Sequence, residues 1–185
     1  MSGPRALVGR RVRLRPPMES DLPVLTRWFV DPELVAPFDR FAYDAPEALA
    51  ASIRGAPAEP GSLAPRYVIE PLAGGAPVGC VGHYVAHPVL AILDVWYLIG
   101  DPAARGQGYG SEAVALLVDE LFATTAYERV GATCDVANLA SSKLLERLGF
   151  RREGTYRAGL HHHAAWHEVA VYGITRPEWA ARARS

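Results

Sequence analysis

The chain has 185 residues, half of them apolar and 21% charged, with a formal net charge of −1; that length suffices for one domain with a sound core, expected over residues 1–185, and the charge gives no general pull toward nucleic acid or an anionic membrane. Met1 to Arg15 lacks the apolar core of a secretory signal, and no apolar run approaches the ~20 residues of a membrane span. Cys80 and Cys134 lie in apolar, strand-like segments without metal-ligand spacing, so they are expected as reduced core residues of a cytoplasmic protein.

Val8 to Arg15 alternates apolar and basic residues and is expected as a first strand, ended by Pro16-Pro17. Ser20 is placed as the cap of a helix carrying Leu22, Leu25, Trp28 and Phe29. Asp44, Pro46 and Glu47 announce a second helix with a start like a capping box. Between the two runs an aromatic-rich connector, Phe38 to Tyr43. Ala56 to Pro65, rich in proline and glycine, reads as loop. Arg66 to Leu72 and Pro77 to Ala86 form a hairpin around the turn Ala73-Gly74-Gly75-Ala76. Val89 to Ile99 is the fourth strand, and the helix expected from about Ser111 to Thr124 carries the stripe Val114, Leu117, Val118, Leu121. A strand over Arg129 to Val136 and a helix over Asn138 to Leu148 follow, with Gly149 at the helix end. Two closing strands, about Phe150–Tyr156 and Trp166–Thr175, complete an α/β (α+β) chain. The fourth and fifth strands, joined through a helix, are expected as parallel neighbours in a mixed sheet with helices on both faces.

The most informative stretch joins the fourth strand to its helix: Arg105-Gly106-Gln107-Gly108-Tyr109-Gly110. Without Cβ atoms at alternate positions, backbone N–H groups of this loop can close on a ligand. The helix adds the positive end of its dipole, and Arg105 a planar fork of donors. The combination suits a phosphate or pyrophosphate. A P-loop needs a lysine after its last glycine, and none stands here; a dinucleotide-binding fingerprint needs a third glycine where Ser111 stands, after a chain's first strand.

This stretch resembles the signature [RQ]-x-x-G-x-[GA] of the Gcn5-related N-acetyltransferase (GNAT) superfamily. The resemblance extends to Asn138-Leu139-Ala140-Ser141, Leu144-Leu145-Glu146 and Leu148-Gly149-Phe150, with Trp166-His167-Glu168 in a closing strand. That set is most similar to the RimJ/RimL-like branch of ribosomal-protein N-terminal acetyltransferases. It implies a mostly antiparallel sheet of six to seven strands in which the fourth and fifth are parallel and splay apart, with acetyl-CoA in the gap. It also implies that Gly106, Gln107, Gly108, Tyr109, Gly110 and Ser111 meet the pyrophosphate beside Arg105, and that Leu98 and Ile99 pair their main chain with the pantetheine arm. Asn138 is either a holder of the pantetheine or acceptor, or a helix N-cap. Ser141 either points its hydroxyl at the sulfur or bonds backbone in its own helical turn. Many relatives carry a tyrosine acid later in this helix; here Leu145 stands at that position.

The implied reaction is attack of a neutral amine on a thioester, without an acyl-enzyme; Cys134 is the one cysteine close before Asn138. An α-amine of pKa about 7.7–8.0 loses about 1 kcal/mol to protonation at pH 7, a lysine-like amine about 4.6 kcal/mol. A base is therefore needed more by the second. Asp94, an acid inside the apolar run Ala91 to Ile99, is the candidate: burial raises a carboxyl pKa toward neutrality. An outward-facing or salt-bridged Asp94 is the alternative, and Glu70 and Glu168 are weaker candidates. Trp28, Phe38, Asp39, Phe41, Tyr43 and His83, with His87, are candidates for the acceptor pocket, Trp28 and Phe38 being equally readable as core. His161-His162-His163 with His167 invites a zinc reading, but consecutive strand residues point to opposite faces, so the triplet cannot easily bring three ligands to one ion; an exposed hairpin tip and no metal are expected. The partners implied are acetyl-CoA and an amine, on a protein N-terminus or a small molecule. Monomer and homodimer both stay open. A CoA-binding module without catalysis is the rival reading; it would keep the loop and need no acid–base pair.

Overall fold

In the computed structural model, residues 5–35, 46–54, 66–87, 89–90 and 92–182 are described. Eight strands form one sheet in the order β1-β2-β3-β4-β5-β6-β8-β7. They are β1 (Leu7–Val8), β2 (Val12–Arg15), β3 (Tyr67–Pro71), β4 (Gly79–His87), β5 (Ile92–Ile99), β6 (Arg129–Asp135), β7 (Arg151–His162) and β8 (Ala165–Thr175). Neighbours run antiparallel except β5 and β6, which are parallel. The helices are α1 (Leu22–Phe29), α2 (Pro32–Val35), α3 (Pro46–Ile53), α4 (Tyr109–Thr124), α5 (Leu139–Arg147) and α6 (Arg176–Arg182).

The sheet has one strand more than expected because Val8–Arg15 is broken. The Gly9 N–H donates to the Val12 carbonyl at 2.9 Å, closing a turn between β1 and β2. A Cβ on Gly9 would run into the Glu112 carboxylate of α4, so a bare backbone is required there. The expected fourth and fifth strands are thus β5 and β6. Ser20 does not cap α1; it lies in a 3-10 turn, Glu19–Asp21, and the Asp21 carboxylate accepts the Met18 N–H at 2.7 Å.

Alternation along the strands sorts the core into two layers. Val95, Val130, Ala132 and Tyr172 pack with Val114, Leu117 and Val118 of α4 and Leu145 of α5. On the other face Val68, Cys80, Trp96 and Leu98 pack with Leu25, Trp28 and Phe29 of α1 and Leu49 of α3. Both cysteines are free and buried. No described helix is long and apolar enough to cross a membrane.

Arg15 fixes α1 to the sheet. Its guanidinium donates to both carboxylate oxygens of Asp21, at 2.7 and 2.8 Å, and through Nε to Glu70 at 2.6 Å. Asp21 is only 3% exposed, and the Arg15 hydrogen bond holds its carboxyl below the usual range against the opposing effect of burial. Removing one partner of such a buried pair leaves an uncompensated charge. Arg15→Met is expected to cost about 3–5 kcal/mol in urea unfolding at pH 7. Since Asp21 has a lowered folded pKa, its contribution exists above the unfolded pKa and is lost as pH falls through the folded one. The gap between variant and wild type should therefore narrow in acid, and a gap independent of pH would refute this account.

Candidate functional site

β5 and β6 pair only through Leu93 with Val130 and Asp94 with Gly131. Beyond these the two strands part, although β5 stays paired to β4 as far as Ile99. A cleft of about 1230 Å³ runs through the gap. Tyr84 and Asp94 line it on one side, and Arg105, Gly106, Gly108 and Ser141 on the other.

The glycine loop closes one end. Gly106 and Gly108 have φ of 73° and 82°, the left-handed region that glycine enters without penalty. The loop is held from outside: Arg11 Nη1 donates to the Gln107 carbonyl at 2.9 Å, Gln107 Nε2 to the Ala103 carbonyl at 2.7 Å, and Arg105 Nε to the Ile99 carbonyl at 3.2 Å. Glu112, in the first turn of α4, accepts the N–H groups of Arg10 and Arg11. With these side chains fixed, the loop amides are left to the cleft. Tyr109, Gly110 and Ser111 open α4, where a helix supplies no acceptor for its first amides. A helix N-terminus beside left-handed glycines is a site for phosphate oxygens.

The start of α5 faces this loop. Asn138 caps it, its Oδ1 accepting the Ser141 N–H at 3.1 Å, and it also lines the cleft. The Ser141 hydroxyl is not spent on backbone; it meets the Tyr97 hydroxyl at 2.6 Å across the gap. Burial pushes the Tyr97 hydroxyl well above the usual tyrosine range, keeping it protonated at neutral pH. Leu145 is fully buried in the core. The phenol at this point comes from β5 instead of α5. The Cys134 thiol meets the Ser142 hydroxyl at 3.6 Å.

Asp94 points to the opposite face from Tyr97, as their odd spacing along β5 requires. Its carboxylate lies over Gly131, where a Cβ would collide with Oδ1. Burial raises its pKa, and Arg129 together with the Tyr84 hydrogen bond pulls it partly back. Tyr84 itself is pushed up to about 12 by burial and by Asp94.

The model of the acetyltransferase (GNAT) domain matches residues 11–151, more than half of the chain. The chain belongs to the GNAT acetyltransferase family. YnaD of Bacillus subtilis (strain 168), an uncharacterized N-acetyltransferase, is 28% identical over 102 residues, which span 54% of this chain and 59% of that relative. Among solved structures, the spermidine N-acetyltransferase of Vibrio cholerae in complex with CoA and spermine superposes with TM-score 0.75 at 15% identity, covering 91% of this chain and 98% of that one. RimL, a ribosomal L7/L12 α-N-protein acetyltransferase in complex with coenzyme A, superposes with TM-score 0.71 at 20% identity over 92% and 98%. Both share the fold at low identity.

Within this GNAT domain, two of the expected acceptor residues, His83 and Trp28, lie away from the cleft lining. His83 does not line the cleft: it shares the face of its partner Val95, and burial lowers its pKa to about 4. His87 lines the cleft instead, its Nδ1 accepting the Leu90 N–H at 3.1 Å. Trp28 is core, 3% exposed, with its indole seated on Gly100 where a Cβ would collide. Phe38, Asp39, Phe41 and Tyr43 lie outside the described residues. Glu70 is bound to Arg13 and Arg15, and Glu168 is exposed on β8. Tyr97 and Tyr84 were not singled out by the sequence. A tyrosine inside an apolar strand must find a partner for its hydroxyl, and that was the signal available.

The raised pKa of Asp94 has a consequence for stability. Below its unfolded pKa both states are protonated and nothing is lost; as pH rises through the raised folded pKa, the protein must hold a poorly solvated charge. Asp94→Asn should therefore gain on wild type as pH rises from 4 to 7, read as the difference in melting temperature. A difference that stays constant or reverses over that range would mean that Asp94 is solvated.

Proposed function

We propose that this chain is an acetyl-CoA-dependent N-acetyltransferase that passes the acetyl group directly to a primary amine, of a protein N-terminus or a small molecule. The observation that carries the reading is the placement of two kinds of group on opposite sides of one gap. Asp94 faces one side of the sheet and the hydroxyl pair Ser141–Tyr97 the other. An amine entering on the Asp94 side gives its proton to the carboxylate, directly or through one water. Its nitrogen bonds the carbonyl carbon, and the C–S bond breaks toward Ser141. The Ser141 hydroxyl, oriented by Tyr97, donates to the departing thiolate. Burial suits both tasks: it makes Asp94 a stronger base and keeps Tyr97 a donor.

The diphosphate of acetyl-CoA is taken by the amides of 106–111 with Arg105 beside them. The β5 main chain on the side that β6 has left, at Ile99, pairs with the pantetheine arm and supplies an N–H donor for the developing oxyanion, the Leu98 carbonyl being turned to Gly79 of β4. Asn138 acts by capping α5 and so aiming Ser141. Coenzyme A in the two superposed neighbours supports this donor; their acceptors, a protein α-amine and a polyamine, bracket the choice for this chain.

Thiol release from acetyl-CoA with a panel of amines tests the reading. Asp94→Asn should lower kcat about 10²-fold with a lysine-like amine and less with an α-amine. Ser141→Ala should lower kcat while leaving CoA affinity unchanged. A non-catalytic CoA-binding module would bind CoA and give no amine-dependent release with any acceptor. Separately, Gly108→Val places a branched side chain at φ 82° where the phosphates lie. CoA binding should be lost while the circular dichroism spectrum is retained, and unchanged affinity would move the phosphates elsewhere.

A further inference from the structure

A second cluster lies at the end of β6, on the Asp94 face of the sheet. Asp135, 5% exposed, pairs in register with Val169 of β8. Its Oδ2 meets two imidazoles, His162 Nε2 at 2.7 Å and His167 Nδ1 at 3.1 Å. The two rings stack with centroids 3.7 Å apart and 16° between planes. We propose that Asp135, His162 and His167 bind a divalent transition-metal ion of the Zn²⁺ class, with the fourth coordination position open.

The cluster gathers three donor atoms of the right kind within reach of one ion. One ligand atom from each residue lies within 4.8 Å of the others. Bonds of about 2.0–2.1 Å in a tetrahedral site put ligand atoms about 3.3 Å apart, so both N–O separations have to open and the stacked rings have to swing apart for their in-plane lone pairs to meet one ion. Two imidazoles and a carboxylate are a donor set that suits zinc and its neighbours rather than calcium or magnesium.

The surrounding hydrogen bonds fit a bound cation. Asp135 Oδ1 accepts the Ala137 N–H at 2.7 Å, leaving Oδ2 for the ion. His162 Nδ1 meets His163 Nδ1 at 2.8 Å, and His163 Nε2 meets Glu33 Oε1 at 3.1 Å. With a cation on His162 Nε2, neutral rings satisfy this run in one direction: His162 donates to His163, which donates to Glu33. A ligand histidine that donates its second N–H is the usual outer support of a metal. His167 Nε2 has no partner among the described residues, so with an ion on Nδ1 its N–H lacks the outer acceptor that His162 has in His163.

The alternation argument against the triplet survives. His161 pairs with Trp166 on the opposite face, and the triplet gives one ligand, the others arriving from β8 and β6. The hairpin tip is exposed over 163–166 as expected, while the His162 side chain at its base is turned inward and 11% exposed. A bound ion ties the β7–β8 hairpin to the end of β6, three residues before the Asn138 cap, and Asp135 also lines the cleft.

Protein stripped with EDTA and titrated with Zn²⁺ by calorimetry decides the matter, with Co²⁺ as a visible-spectrum probe. Wild type and His161→Ala should each take up one equivalent. His162→Gln and His167→Gln should bind at least about 100-fold more weakly, and His163→Ala about 10-fold more weakly. The Co²⁺ complex of wild type should show the intense bands of four-coordination, absent from His162→Gln. Two results overturn the proposal: wild type taking up no saturating equivalent, or the double variant His162→Gln/His167→Gln binding as tightly as wild type while both keep the native circular dichroism spectrum.

Discussion

Parting of β5 from β6 is the constraint on which the site depends. A buried main chain must satisfy its hydrogen-bonding groups, and two parallel strands normally do this for each other. Here they do so at only two register positions. After those, β5 stays attached to β4 on its far edge and presents its near edge to the gap. The Ile99 carbonyl is taken by Arg105; the rest of that edge suits a ligand that is itself extended and carries amides. The residues on either side are consistent with a held gap: Gly131 leaves room for the Asp94 carboxylate, and Tyr97 with Ser141 spans the opening from strand to helix.

That opening also explains why odd and even positions of one short strand carry different chemistry. Asp94 and Tyr97 are three residues apart, so they face opposite layers. One is set among Tyr84 and Arg129, the other against the start of α5. Low dielectric acts on both through the same cost of charge, and it moves the acid and the phenol in the same direction: each is held closer to its neutral form. For the acid this means readiness to take a proton, and for the phenol readiness to keep one.

Much of the architecture was legible because it is written in local chemistry. The apolar stripe of α4, the glycine run before it and the asparagine before α5 are short-range signals. What escaped was set by contacts across the fold. The break after Val8 answers to Glu112, a hundred residues on, and alternation alone gives no hint of it. The helix α6 was overlooked although Thr175-Arg176-Pro177-Glu178 carries a capping-box spacing, and Glu178 does accept from both the N–H and the hydroxyl of Thr175. For the site, residue type picked out Asp94 and Ser141, but His83 and His87 could not be told apart by composition. Only the register of β4 against β5 sends one to the far layer and leaves the other at the cleft.

The props of the glycine loop come from the opposite end of the chain. Arg11 holds the Gln107 carbonyl and Glu112 holds the Arg10 and Arg11 amides, across sequence separations of 96, 102 and 101 residues. Contacts so distant form only after most of the intervening polypeptide has organised, because closing long loops is costly before other interactions reward it. The shape of the glycine loop therefore depends on a late-forming kind of contact, and the loop is fixed only once residues 10 and 11 have come back to meet α4.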